Sequence, residues 1–338
     1  MSARTVRWLL SLAHAPRGAG GRGSLTILRH HRVYDDRERP LYRLGVSAWV
    51  LRDQLRFLAA ERLTPITVGE GLAHLAGGGA GHRVALSFDD GYRDNVERAL
   101  PLLAETGARA TFFLTAGLME ERQPAWWDVL DHALATTRSR ELRWAPSGAP
   151  RVWPLGGLAE RSAALHALLP AFRTSLAERD RRLASLRQAL EVTAAAPCEF
   201  ATWDEARAFA AAGMEVGAHT LHHPHLSVLE AADQHHEIAA SKQQVEARLG
   251  VSVAGLAYPG GDHDDVTVAA CRASGLTYAV TTRAGDVVAP FDPFRISRRG
   301  FSEGACLGPG GRFSRRLARA ELDGAFDRLR ATAREVAS

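Results

Sequence analysis

The 338-residue sequence predicts an α/β fold built on parallel strands and interrupted by a helical insertion. Two observations carry this. Short apolar runs alternate with amphipathic stretches over residues 24–120 and again over 200–282, and between about 120 and 200 only helical patterns remain. A hydrophobic share of 46% against 24% charged residues fits a globular core rather than a disordered chain. The 42 Lys and Arg residues exceed the 38 acids only slightly and form no basic block, which argues against a nucleic-acid partner.

Each element has its own signal. "SLTILRHHRV" (24–33) is a buried-type strand ending in His30 and His31. "VSAWVLRDQLRFLAAERL" (46–63) spaces Trp49, Leu51, Leu55, Leu58 and Leu63 as an amphipathic helix. "TPITVGEGLAHLAGGG" offers a short strand and a helix closed by glycines. "RVALSF" (83–88) is a strand that runs into Asp89 and Asp90. "NVERALPLLAETG" is a helix ended by Gly107, and "ARATFFLTAG" the next strand. Within the insertion, "PAWWDVLDHALATT" and "LAERSAALHALLPAFRTSLAERDRRLASLRQALEV" are helical, separated by a Pro/Gly-punctuated stretch at 144–157. Alternation then resumes with "TWDEARAFAAAG" (helix), "MEVGAH" (strand), "EAADQHHEIAASKQQVEARLG" (helix), "VAGLAYPGG" (strand), "DDVTVAACRASG" (helix) and "LTYAVTT" (strand). "RRLARAELDGAFDRLRATAREV" closes the chain as one amphipathic helix. The expected division is an N-terminal extension (1–23), a core (24–310) holding the insertion at about 120–200, and a C-terminal helix (311–338).

The basic N-terminus "MSARTVRWLLSLAHAPRGAGGRG" carries an apolar patch, Trp8 to Ala13, too short for an export-signal core or a membrane span. It is expected to be a short helix able to touch an anionic membrane surface. Cys198, Cys271 and Cys306 lie far apart and form no framework, which fits a reducing compartment. The expected location is cytoplasmic, at the inner face of the membrane where peripheral.

Two readings stand for the adjacent carboxylates of "LSFDDGYRDN" (86–95): a cap for the following helix, or a cation ligand. "GAHTLHHPHLS" (217–227) follows a strand and is dense in histidine. His219 and His223, four residues apart, would share a face on one helical turn and grip one metal. Two imidazoles and a carboxylate make a facial triad for a divalent cation with positions left open. His222 and His225 are read as flanking groups, and His235 and His236 as solvated.

Together, "LSFDDGY", "EVGAHTLHHPHL" and "LAYPGG" resemble the successive motifs of the polysaccharide deacetylase family (NodB homology, carbohydrate esterase 4), from about residue 24 to 300. "ILRHHRV" and "ATFFLTAG" resemble its flanking strands. The resemblance implies a distorted (β/α) barrel and metal-dependent removal of an acetyl group from an N-acetylated glycan. It implies Asp90, His219 and His223 as metal ligands, for zinc first, with cobalt, nickel or iron(II) as alternatives. Asp89 would be the general base, the Gly260 N–H would stabilise the oxyanion, and Tyr258 and Pro259 would shape the acetyl pocket. Tyr92, Trp126 and Trp127 are further substrate-contact candidates. Two departures stand out. No histidine follows His263 to act as the general acid, and no arginine stands two residues before Pro259. A subset associated with exopolysaccharide biosynthesis matches better, and it implies His31 as the acid. Arg298 of "PFRISRRGF" is the candidate to orient Asp89. An O-acetyl ester or other amide hydrolase, and a catalytically silent glycan-binding or assembly protein, are the alternative readings. Oligomeric state is not legible.

Overall fold

The computed structural model describes residues 3–15, 23–35, 39–42 and 44–327. The tail expected to be helical beyond 327 and part of the N-terminal extension lie outside the described residues.

Among the described residues there are eleven strands: β1 (Ser24–His30), β2 (Arg32–Tyr34), β3 (Gly45–Ser47), β4 (His82–Phe88), β5 (Ala110–Leu114), β6 (Glu141–Trp144), β7 (Arg151–Pro154), β8 (Glu215–Ala218), β9 (Gly255–Ala257), β10 (Tyr278–Val280) and β11 (Arg299–Gly300). Seven of them form one sheet in the order β10-β9-β8-β5-β4-β1-β11. Every pairing in it is parallel. This is the expected α/β architecture, as an open, curled half-barrel. A single segment links its two edges. Ile296 bridges Val280 of β10, and three residues later Arg299 pairs with Leu28 of β1.

Parallel strands are buried on both faces and read as continuous apolar runs. All five residues of β5 are buried, as are the last five of β4. The helix Ala48–Ala60 covers one face with Val50, Leu51, Leu55, Phe57 and Leu58. Thr67 and Glu70 form a reciprocal capping box on the helix Val68–Ala76, and Thr202 and Glu205 do the same for Trp203–Ala211. Below the functional end of the sheet runs an aromatic column. His30 stacks on Phe88 (5.1 Å), Phe88 on Phe112 (5.0 Å) and Phe112 on Phe209 (4.0 Å).

The insertion holds helices at Trp126–Thr136, Leu158–Leu168 and Leu176–Ala189. The stretch at 144–157, read as a break between helices, instead completes an antiparallel hairpin, with β6 paired to β7 from Glu141↔Pro154 to Trp144↔Arg151. Only β6 alternates in burial, and β7 is mostly exposed, so the period-2 signal was weak. The C-terminal helix Arg315–Leu322 also stops short of the expected single helix, with Gly324 in the left-handed region (φ 74°).

Phe112 is fully buried in the middle of the aromatic column. Phe112→Ala should lower unfolding stability by about 3–5 kcal/mol in urea titrations, through lost burial and a cavity.

Candidate active site

The site forms where β1, β4, β8 and β9 end. In parallel α/β sheets the C-terminal strand ends are where the chain leaves the hydrogen-bonded ladder and side chains converge. Asp89 directly follows β4, and its N–H donates to the His30 carbonyl (3.1 Å). Asp90 then turns through a positive φ of 81° and Gly91 through 87°. A non-glycine residue in this region is strained and is held there only by its surroundings. Neither acid caps a helix, because helical geometry begins only at Arg93. The turn instead separates the two carboxylates.

Asp89 faces Arg298. The Arg298 Nη1 donates to Asp89 Oδ1 (2.6 Å) and Nη2 to Oδ2 (2.8 Å), with both side chains buried. Ser87 Oγ (3.1 Å) and the Thr281 carbonyl (2.9 Å) receive the remaining Arg298 donors and fix its plane. Burial alone would raise the Asp89 carboxyl, but the Arg298 charge, followed by His219 and His31, holds it well below the usual carboxylate range.

Asp90 points the other way, toward two imidazoles. His219 Nε2 lies 3.4 Å and His223 Nε2 3.7 Å from Asp90 Oδ1. The expectation that a helical turn brings the histidines together is corrected here. His219 follows β8 and His223 lies in an irregular loop, with Thr220 at φ 66° and His223 at φ 52°. The two rings meet edge to face at 4.8 Å because the loop doubles back. Its shape is fixed by Glu237, which accepts from the Leu221 and His222 N–H groups (2.9 Å each) and touches His222 Nδ1 (2.7 Å).

A divalent cation fits this triad. One donor atom from each of Asp90, His219 and His223 lies within 4.8 Å of the others. Both Asp90 carboxylate oxygens are buried without a hydrogen-bond partner. His219 Nδ1 sits 2.7 Å from the Ala257 carbonyl, which only accepts, so Nδ1 carries the proton and Nε2 presents its lone pair to Asp90. Two acceptors in contact in a buried place require a positive charge between them. Burial pushes His223 well below the usual histidine range, which leaves it in the neutral form a metal requires.

The strand alternation of β1 sends the two adjacent histidines to opposite sides. His30 enters the core, against Gln54 Oε1 (3.1 Å), while His31 reaches toward the site with Nε2 3.8 Å from Asp89 Oδ2. Burial lowers both to about 4, despite the nearby carboxylates.

A cleft of about 710 Å³ opens over the triad, lined by His31, Asp90, His223, Gly260, Trp126 and Trp127 among others. Trp127 also packs its ring on His223 (4.3 Å). Three other candidates stand back from the cleft. Tyr258 is fully buried and donates to the Phe294 carbonyl (3.0 Å), Pro259 is buried beside it, and Tyr92 donates to Asp128 (2.8 Å) while accepting from Trp127 Nε1 (2.7 Å). Beyond Trp126 and Trp127, the insertion supplies residues that sequence reasoning did not single out: His166, Leu169, Pro170 and Arg173 form one wall of the cleft. Arg173 reaches Asp262 (2.6 Å) just after the "YPGG" turn, and the buried Arg179 donates to the His222 carbonyl (2.9 Å). The proline break in "LLPAFR" was the one available signal that the helices turn there.

Removing Arg298 would leave Asp89 buried without its cation. In Arg298→Met, urea unfolding of metal-free protein at pH 7 should lose about 3–5 kcal/mol. In the intact protein the depressed Asp89 pKa contributes stability above the unfolded value of about 3.9 and loses it as pH falls through the folded value. In the variant, burial acts unopposed and raises that pKa, so protonation relieves the penalty and the gap to wild type should narrow as pH is lowered toward 5. A gap independent of pH would contradict the assignment.

The sequence model for "Polysaccharide deacetylase" matches residues 76–279. No curated protein matches the sequence. Among solved structures, the chain is similar to the Streptococcus pyogenes deacetylase PplD in complex with acetate: 18% identity, 88% of this chain and 97% of that one, TM-score 0.56. It is also similar to IcaB from Ammonifex degensii, at 19% identity over 90% of this chain and 98% of that one, TM-score 0.55. A de-N-acetylase from Aggregatibacter actinomycetemcomitans aligns at 17% identity over 81% and 94%, TM-score 0.53. At these identities the likeness speaks for the shared fold, and the match over more than half of the sequence settles the family: the chain belongs to the polysaccharide deacetylases.

Proposed function

We propose that the protein de-N-acetylates an N-acetylated sugar within a polysaccharide or glycan precursor, in the manner of the exopolysaccharide-associated members of its family. The observation that carries the reading is the separation of the carboxylates. One is neutralised by arginine and the other is left facing two imidazoles.

Asp90, His219 and His223 would hold a divalent cation, with zinc the first expectation, which would supply Lewis acidity to lower the pKa of water and polarise an amide carbonyl. Asp89 accepts the proton of the attacking water. Arg298 keeps it ionised and oriented, at the cost of basicity. As the amide carbonyl is attacked, charge develops on its oxygen and meets the backbone N–H of Gly260. The carbon–nitrogen bond breaks only when the amine nitrogen receives a proton, and His31 is the group assigned to give it. Because burial holds His31 near 4, it enters the reaction neutral and must first collect that proton. Asp89, 3.8 Å away, is the nearest source. The balance is one water and one amide consumed, one acetate and one protonated amine (ammonium) released. Trp126 and Trp127 offer apolar faces on which a sugar ring can stack.

The test is acetate release from N-acetylglucosamine oligomers, with acetylated xylan and cyclic amides as controls for the other hydrolase readings. Chelation should abolish turnover and added divalent metal should restore it; full turnover in metal-free enzyme would overturn the reading. Asp90→Ala and His219→Ala should lose both metal and activity. His31→Ala should retain the metal while kcat falls on the order of 10²-fold, with KM little changed. Loss of metal in the His31 variant would assign that residue to the cation site instead.

A further inference from the structure

The helix Ala3–Leu12 is folded against the body the wrong way round for a helix of a water-soluble surface. Its polar side faces inward. Arg7 pairs with the buried Glu321 and lies over the Phe326 ring (4.7 Å from its centroid), Ser11 is 1% exposed, and His14 just beyond the helix places Nε2 2.8 Å from Asp323 Oδ2. Trp8 packs on the small apolar cluster of Leu317, Ala320 and Phe326. Its apolar side faces outward. Val6, Leu9 and Leu10 recur at helical spacing and are 41%, 43% and 49% exposed, with Leu12 beside them at 44%.

Charge selects the occupant. The first 34 residues contain no Asp or Glu, and Arg4, Arg7, Arg17 and Arg22 fall within the first 23. Arg312 and Arg316 are exposed on and just before the helix Arg315–Leu322 that packs against the N-terminal one. A leucine face on a segment free of acids, with the exposed Arg312 and Arg316 on the neighbouring element, matches a negatively charged lipid surface, where leucines enter the headgroup boundary and cations meet phosphates. A second copy of this chain fits poorly. A stable dimer buries about 800 Å² per partner, and pairing two copies through this segment, which carries no acid, would oppose like charges. No helix of the described residues is long and apolar enough to cross a membrane, so the contact would lie in the plane of the surface.

We propose that this inverted helix is an interfacial anchor that seats the protein on an anionic membrane surface. The inference is independent of the reading of the active site.

The experiment is co-sedimentation of the full, metal-loaded chain with vesicles of phosphatidylcholine and phosphatidylglycerol at roughly 7:3, and with phosphatidylcholine alone. Wild type should pellet with the anionic vesicles and be released as salt rises. The double variant Leu9→Asp, Leu10→Asp should bind at least about ten-fold more weakly, while its circular dichroism and its thermal unfolding midpoint stay at wild-type level. Wild type remaining in the supernatant, or equal binding by the variant, would overturn the anchor. So would a concentration-dependent dimer that the same variant disrupts, since the occupant would then be a second copy.

Discussion

Two carboxylates adjacent in sequence, both at most 2% exposed, sit at the end of a buried strand, and the architecture of the site follows from how their charges are compensated. A buried unpaired carboxylate is costly enough that it neutralises or finds a cation. The turn at Asp90 separates the two problems. Asp89 is answered by a protein cation, Arg298, in a two-pronged ion pair. Among the described residues, Asp90 is answered only by the Nε2 atoms of two histidines. The first arrangement is complete in itself, and the second is complete only with a metal.

Arg298 reaches Asp89 because of how the sheet closes. The segment from Ile296 to Gly300 lies between the two sheet edges, bridging β10 at one end and pairing with β1 at the other. Arg298 is the residue between these contacts, directed inward, with its own N–H bound to the Arg283 carbonyl. The segment that links the sheet edges thus also supplies the cation that faces Asp89. No arginine stands two residues before Pro259, and the one that pairs with Asp89 comes instead from the segment linking the sheet edges.

The insertion has a comparable double role. Its helices bury their own core, with Leu130, Leu165, Leu168, Phe172 and Leu186 almost fully enclosed. The turn at 169–173 then lies over the cleft, and Arg173 and Arg179 tie it to the loops after β9 and β8. One wall of the cleft is therefore built from a segment whose sequence carries no catalytic motif.

The amino-acid sequence by itself determined what local chemistry encodes. The strand and helix order follows from periodicity, the Asp pair from its place after an apolar run, the histidine loop from its composition, and the family from the order of three short motifs. Tertiary structure decided whatever depends on residues distant in the chain. It showed that His219 and His223 meet across an irregular loop rather than along a helix, that β1 alternation sends His30 to the core and His31 to the cleft, and that 144–157 completes a hairpin. It paired Arg298 with Asp89 across 209 positions and turned the apolar face of the first helix outward. The reason is physical: periodicity reports which face of an element is apolar, but which way that face turns, and which charge lies opposite a buried acid, are set by contacts that no local pattern contains.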